Sequence, residues 1–127
     1  MPEVNILNDY PQPTAPRFVG RDMRTISHRI AAIKRDRNFF DGDRNLGYGG
    51  FKYDGRWVPI AERIIKHYKL ESSSRLLHLN CEKGFLINDL KNIRPSLQVA
   101  GTETSDYAIA HAMKEIKDTI TKISSIK

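Results

Sequence analysis

The sequence predicts an α/β protein: an open parallel sheet of about three strands, preceded by an N-terminal extension that is first helical and then rich in glycine and aromatic residues. Three observations predict it. From Arg75 onward, short apolar runs alternate with amphipathic ones in the order strand, helix, strand, helix, strand, and that alternation implies parallel strands with crossover helices. Residues 39–57, FFDGDRNLGYGGFKYDGRW, hold five of the eight glycines and six of the eleven aromatics. Upstream, Met23, Ile26, Ile30 and Ile33 recur at spacings of three and four, which puts them on one helical face.

The elements follow in order. Residues 1–20 carry four of the six prolines, Pro2, Pro11, Pro13 and Pro16; fixed φ angles and missing donors predict an extended arm. A helix is predicted over 22–37, with Met23, Ile26, Ile30 and Ile33 as its buried stripe and Arg24, Arg29 and Arg35 mostly elsewhere. The glycine–aromatic stretch reads as turns with anchored rings, because glycine supplies turns and rings supply contact area. Pro59 suits the first turn of a second helix, with Ile60, Ile64, Ile65 and Tyr68 as its apolar stripe.

After the polar break at Glu71–Ser74, Arg75–Asn80 reads as a buried strand and Cys81–Gly84 as a turn. Phe85–Ile93 is a third helix with Leu86, Leu90 and Ile93 on one face, ended by Arg94-Pro95-Ser96. Leu97–Thr104 is a second strand. Ser105 is placed to cap a fourth helix, striped by Ile109, Ala112, Met113 and Ile116. Thr119–Ile126 is predicted as a third strand. The division expected is 1–20 arm, 21–70 cap segment and 71–127 core.

Composition narrows the function. With 127 residues and 39% apolar residues there is material for one core. No apolar run reaches the roughly 20 residues of a membrane span, and Met1–Pro16 lacks the pattern of a secretory signal. A cytoplasmic protein with no membrane partner is expected. The single Cys81 and the scattered His28, His67, His78 and His111 show no metal-ligand spacing, so no metal is expected. The net charge of +6 divides evenly, +3 before Trp57 and +3 from it onward. The one local excess is Arg21–Arg37, six basic residues against two acids. A solvated helix face explains it more simply than a nucleic-acid surface, although a basic nucleic-acid-binding domain stays among the readings.

Ligands of open parallel sheets bind at the carboxyl ends of the strands. There the first strand runs through His78, Leu79 and Asn80 into Cys81-Glu82-Lys83-Gly84, and the second ends at Glu103, 19 residues beyond Gly84. A carboxylate so placed can accept hydrogen bonds from both hydroxyls of a ribose, with the turn holding the rest of a nucleoside ligand at the helix N-terminus. An ordinary strand–turn–helix with Glu103 as a surface carboxylate satisfies the same spacing.

The stretch FFDGDRNLGYGGFKYDGRW, followed by a helix, LLHLNCEKGF and VAGTETSDYAI, resembles class I S-adenosylmethionine-dependent methyltransferases, in a bacterial group that modifies small molecules or surface sugars. The resemblance spans about residues 21–118. It implies a partial Rossmann-like, doubly wound sheet and S-adenosylmethionine as cofactor, with a small-molecule or sugar acceptor. By position it implies cofactor contacts from His78, Asn80, Cys81, Glu82, Lys83, Gly84, Glu103 and Thr104. Glu103 would hold the ribose. Gly84 would allow close packing where the helix begins, and the backbone of Asn80–Lys83 would pass the methionine part. His78 stands where the family has an acid, and Asn80 and Glu82 stand where it has glycines. Glu82 at positive φ would carry strain of about 1–3 kcal/mol. Its charge would approach the cofactor carboxylate, with Lys83 offsetting it, so weakened cofactor affinity is expected. The resemblance implies a family sheet of seven strands. About three lie here, so a truncated or incomplete form is expected, with self-association or a completing partner along the exposed sheet edge. A non-catalytic, degenerate interaction module is the alternative.

Three further sets of residues have two readings. Cys81 at a helix start could be an activated nucleophile, but no His and Asn or Asp can be set beside it, and a packed motif cysteine is the simpler role. Tyr48, Phe51, Tyr53 and Trp57 could form a lid or anchor the loop to the core. Asp41, Asp43 and Asp54 could form a carboxylate cluster or serve as turn residues, as Asp-Gly pairs do.

Overall fold

The computed structural model describes residues 3–16, 18, 20 and 23–125. Its centre is a parallel sheet of three strands, β1 (Arg75–Leu79), β2 (Gln98–Glu103) and β3 (Ile120–Lys122), with β2 in the middle. The register sets Leu76 beside Val99 and His78 beside Gly101, and then Gly101 beside Ile120. Among the described residues five α-helices accompany it: α1 (Ile26–Ile33), α2 (Arg37–Asp41), α3 (Val58–His67), α4 (Phe85–Ile93) and α5 (Asp106–Ala110). A 3-10 turn over Lys114–Thr119 leads into β3.

Side-chain alternation along β2 buries Val99, Gly101 and Glu103 on one face and leaves Gln98 and Ala100 exposed on the other. The covered face meets α4 and, behind it, α3. Ile60, Ala61, Ile64 and Ile65 of α3, Ile87 and Leu90 of α4, and Leu97, Val99 and Ile116 make one continuous core. Each large aliphatic side chain buried there contributes about 1.5–3 kcal/mol. At Gly101 the absence of a side chain matters, because a Cβ would lie 2.6 Å from both Cys81 Sγ and Ile87 Cδ1. On the opposite face Leu77 and Leu79 are more than half exposed. β1 is therefore not the buried strand expected from its apolar run: no residue of it is buried, because only one face of the sheet is covered, and β1 has no neighbour on its outer edge among the described residues.

The alternation of elements and the cap at Ser105 follow the sequence reading. Ser105 Oγ accepts from the Ala108 N–H, as a cap should, and Pro59 sits in the first turn of α3. Several details differ. The helix expected over 22–37 breaks at Lys34–Asp36, since Arg35 takes a left-handed φ of 47° and Asp36 starts α2 by capping the Asn38 N–H. The stripe of Met23, Ile26, Ile30 and Ile33 is exposed instead of buried, and α1 buries no residue. Tyr68 lies beyond the end of α3 and is half exposed. In α4 the buried side chains are Phe85, Ile87, Asn88, Asp89 and Leu90, with Ile93 at the exposed end. The fourth helix stops at Ala110, and the Met113 N–H turns back to the Lys83 carbonyl. The third strand is only Ile120–Lys122; Ile126 lies outside the described residues.

The described part of the arm is folded onto the body. Tyr10 packs on Trp57 at 5.3 Å and its hydroxyl accepts from Arg56, while Asp9 pairs with Arg63.

Candidate functional site

The carboxyl ends of β1 and β2 meet in a loop of unusual backbone. Asn80, Glu82 and Gly84 have φ of 57°, 56° and 74°. Alternate residues thus take the left-handed conformation that only glycine adopts freely. At Gly84 a side chain would also collide with Ile116, whose Cδ1 lies 2.4 Å from the place of a Cβ. Asn pays little for this conformation. Glu82 pays more, and hydrogen bonds hold it there. Its N–H donates to Glu103 Oε2 at 2.7 Å, and its carboxylate accepts from Tyr48 Oη at 2.8 Å.

Glu103 is completely buried, and its carboxylate is the hub of the site. Oε1 accepts from the N–H groups of Thr104 and Ser105 at 2.8 and 2.9 Å and from the Thr104 hydroxyl at 3.3 Å. Arg35 Nη2 lies 3.3–3.4 Å from both oxygens and 3.6 Å from Glu82 Oε1. One guanidinium therefore bridges two carboxylates, and its Cζ lies over the rings of Phe39 and Phe40, 5.2 and 5.4 Å from their centroids. Ser105 Oγ donates to the Arg35 carbonyl at 2.5 Å, which fixes the left-handed Arg35 against the start of α5. The reading of Glu103 as a surface carboxylate is thus corrected: burial and six short contacts make it structural in this conformation.

Lys83 turns away from Glu82 to the cap. Its Nζ, on a side chain only 7% exposed, donates to Asp41 Oδ2 at 2.7 Å and to the Phe51 carbonyl at 2.8 Å, among the rings of Phe40, Phe51 and Tyr107. Arg35, not Lys83, offsets the Glu82 charge. Asp41 also accepts from Tyr107 Oη at 2.8 Å and from the Phe51 N–H at 2.9 Å. Burial opposes its ionisation, but these donors and the Lys83 charge outweigh that and lower its pKa to about 2.

Of the three aspartates read together, Asp43 and Asp54 are turn residues, accepting from the N–H groups of Asn45 and Arg56. Asp41 is the partly exposed partner of buried Lys83. Its role escaped sequence reasoning, and the one available signal was the need of a loop lysine for a counter-charge.

The remaining site residues are apolar or desolvated. His78 is half-buried, with Nδ1 lacking a partner among the described residues, and burial lowers its pKa. Burial and then the Glu103 charge push the Cys81 thiol up to about 12; at 3% exposure it is a packed cysteine and no nucleophile. Burial also raises the Glu82 pKa, against the Tyr48 hydrogen bond and the Arg35 charge. The aromatic segment is an anchor: Phe51 stacks between Tyr48 and Phe85 at 4.3 and 4.7 Å, and Tyr53 Oη donates to buried Asp89 at 2.6 Å. That hydrogen bond, with burial, raises the Tyr53 pKa to about 12.

The structure therefore brings Asn80, Glu82, Glu103 and Thr104 to one point, sends Lys83 to the cap and packs Cys81 into the core. Arg35 joins the site from 68 residues away. Among the described residues no group of three or more His, Cys, Asp or Glu side chains is arranged to hold a metal ion, and no helix is long and apolar enough to cross a membrane. Comparisons with protein-family models, with curated proteins and with solved structures find no match to this chain.

Proposed function

We propose that the chain carries an S-adenosylmethionine site of the methyltransferase type at the carboxyl ends of β1 and β2, on the front portion of a Rossmann-like fold. The observation that carries this reading is the loop backbone. Asn80 and Glu82 occupy left-handed positions as glycines would, and the loop N–H of Glu82 is tied to a carboxylate at the end of the next strand. An ordinary strand–turn–helix has no need of three left-handed residues in five. In this reading Glu103 takes the ribose hydroxyls once the Arg35 guanidinium withdraws, since the carboxylate has no exposed surface while Arg35 is in place. The bound cofactor would supply an electrophilic methyl group for a small-molecule or sugar acceptor. The residues of this chain would orient the nucleoside and exclude water.

Equilibrium binding of S-adenosylmethionine and S-adenosylhomocysteine tests this. Saturable binding is expected, weakened at least about tenfold by Glu103→Gln, since a hydrogen bond to a charged group contributes about 1.5–3 kcal/mol. Arg35→Ala should tighten it. Absence of binding by the folded chain and by folded Arg35→Ala sinks the reading. A second reading, an interaction module, is favoured by the exposed Leu77 and Leu79 beside the edge of β1 that no strand among the described residues pairs, because open apolar edges pair with other chains. Concentration-dependent sedimentation that Leu77→Lys abolishes would support it.

A further inference from the structure

We propose that α1 is a docking helix for an anionic lipid surface. Ile26, Ile30 and Ile33 are 76%, 55% and 79% exposed. At about 100° per residue they fall within an arc of about 60°. The inward face of the same helix is made of half-buried His28, Ala31 and Ala32. This inverts the usual arrangement, in which the apolar stripe faces the body and the small and polar residues face water. The helix does not depend on covering that stripe, because Thr25 and His28 form a reciprocal capping box.

The charges around the stripe say what covers it. On the same projection Arg29 lies about 60° to one side of Ile26 and Lys34 about 80° to the other, both exposed, with exposed Arg24 before the helix. The one acidic residue among 23–37 is Asp36, which caps α2, and Arg35 points inward to Glu103. The outward face is thus an isoleucine ridge between cations. Such a helix lies in a bilayer interface with its apolar residues among the acyl chains and its basic stems reaching anionic headgroups. Nucleic acid would match the cations and leave the isoleucines in water. A second copy would match the isoleucines and set Arg29 and Lys34 against their own kind. The contact is peripheral, so it departs from the expectation of no membrane partner, which rested on the lack of a spanning segment.

The test is flotation of the full chain with vesicles of phosphatidylcholine alone and with about 30% phosphatidylserine, a composition whose surface potential attracts basic segments. Binding to the anionic vesicles is expected to exceed binding to neutral ones by about tenfold to a hundredfold and to fall in high salt. Changing Ile26, Ile30 and Ile33 together to Ser should abolish it. Arg29→Gln with Lys34→Gln should remove the preference for phosphatidylserine. All five positions are exposed, so circular dichroism and Tm should match the parent chain. A folded chain that ignores anionic vesicles, or binds them equally well without its isoleucines, overturns the proposal. So does a dimer that dissolves with the Ile→Ser changes, or oligonucleotide binding that those changes leave intact.

Discussion

Lys83→Met isolates the tie between loop and cap. The substitution keeps most of the side-chain stem and removes the ammonium. Two hydrogen bonds disappear, to Asp41 Oδ2 and to the Phe51 carbonyl, together with the attraction of three ring faces. Breaking a fully buried pair costs about 3–5 kcal/mol. Asp41 keeps Tyr107 Oη and the Phe51 N–H as donors, and its side chain is 23% exposed, so water replaces part of what is lost. The expected cost is about 2–3 kcal/mol, inside the 5–15 kcal/mol that holds a domain of this size. Asp41→Asn should cost a similar amount, because it strands Lys83. The pair Lys83→Met with Asp41→Asn should cost less than the sum of the two, with a coupling of about 2 kcal/mol. Urea unfolding of the four proteins measures the cycle. A coupling under about 0.5 kcal/mol, the size of an exposed pair, would refute the claim that this contact fastens the cap to the sheet.

Four other outcomes follow from the same geometry. Gly84→Ala combines a left-handed φ with contact on Ile116 and should cost about 1–3 kcal/mol in thermal or urea unfolding; a neutral result would mean that the loop backbone is free to change. Asp41, held near 2 against an ordinary 3.8, gives stability that is complete above about pH 4 and lost as pH falls toward 2. The amount is about 1–2 kcal/mol after screening at its partly exposed side chain. His78, lowered by burial, adds an acid loss that begins below about pH 6.5, so His78→Gln should flatten the Tm profile below that pH. Cys81 should resist Ellman's reagent in the native chain and react on unfolding, its rate rising with urea; immediate stoichiometric labelling would contradict its burial.

The core was legible because it is local and periodic. Ile60, Ile64 and Ile65 carry a helix period, Leu76, Leu77 and Leu79 a short apolar run, and Ser105 a cap, so α3, β1, β2 and the start of α5 follow from short-range rules. Elements whose limits depend on distant partners were not legible. Nothing near Ile26, Ile30 and Ile33 announces that this stripe faces outward, nor that the helix ends where Arg35 turns left-handed and its guanidinium reaches Glu103. Nor does spacing tell that Glu103 is sealed or that Lys83 prefers Asp41 to Glu82. The positive φ of Glu82 was readable, because glycine-type geometry was expected at that position. The hydrogen bonds that stabilise it, from its own N–H to Glu103 and from Tyr48, come from across the fold.

The Arg35–Glu103 bridge sets an order of events in time. Arg75 and Gln98, paired at the start of the sheet, are 23 residues apart in sequence. The contacts that close the site span 34, 42, 66 and 68 residues, and longer closures form later because more chain entropy is lost before any contact rewards it. The strand–helix–strand unit around α4 therefore assembles first, with its loop carboxylates still wet. Arg35 arrives last and takes the water's place. On this order a ligand present during refolding meets an open Glu103 and is expected to be captured more readily than by the finished site, which refolding with and without S-adenosylhomocysteine would measure.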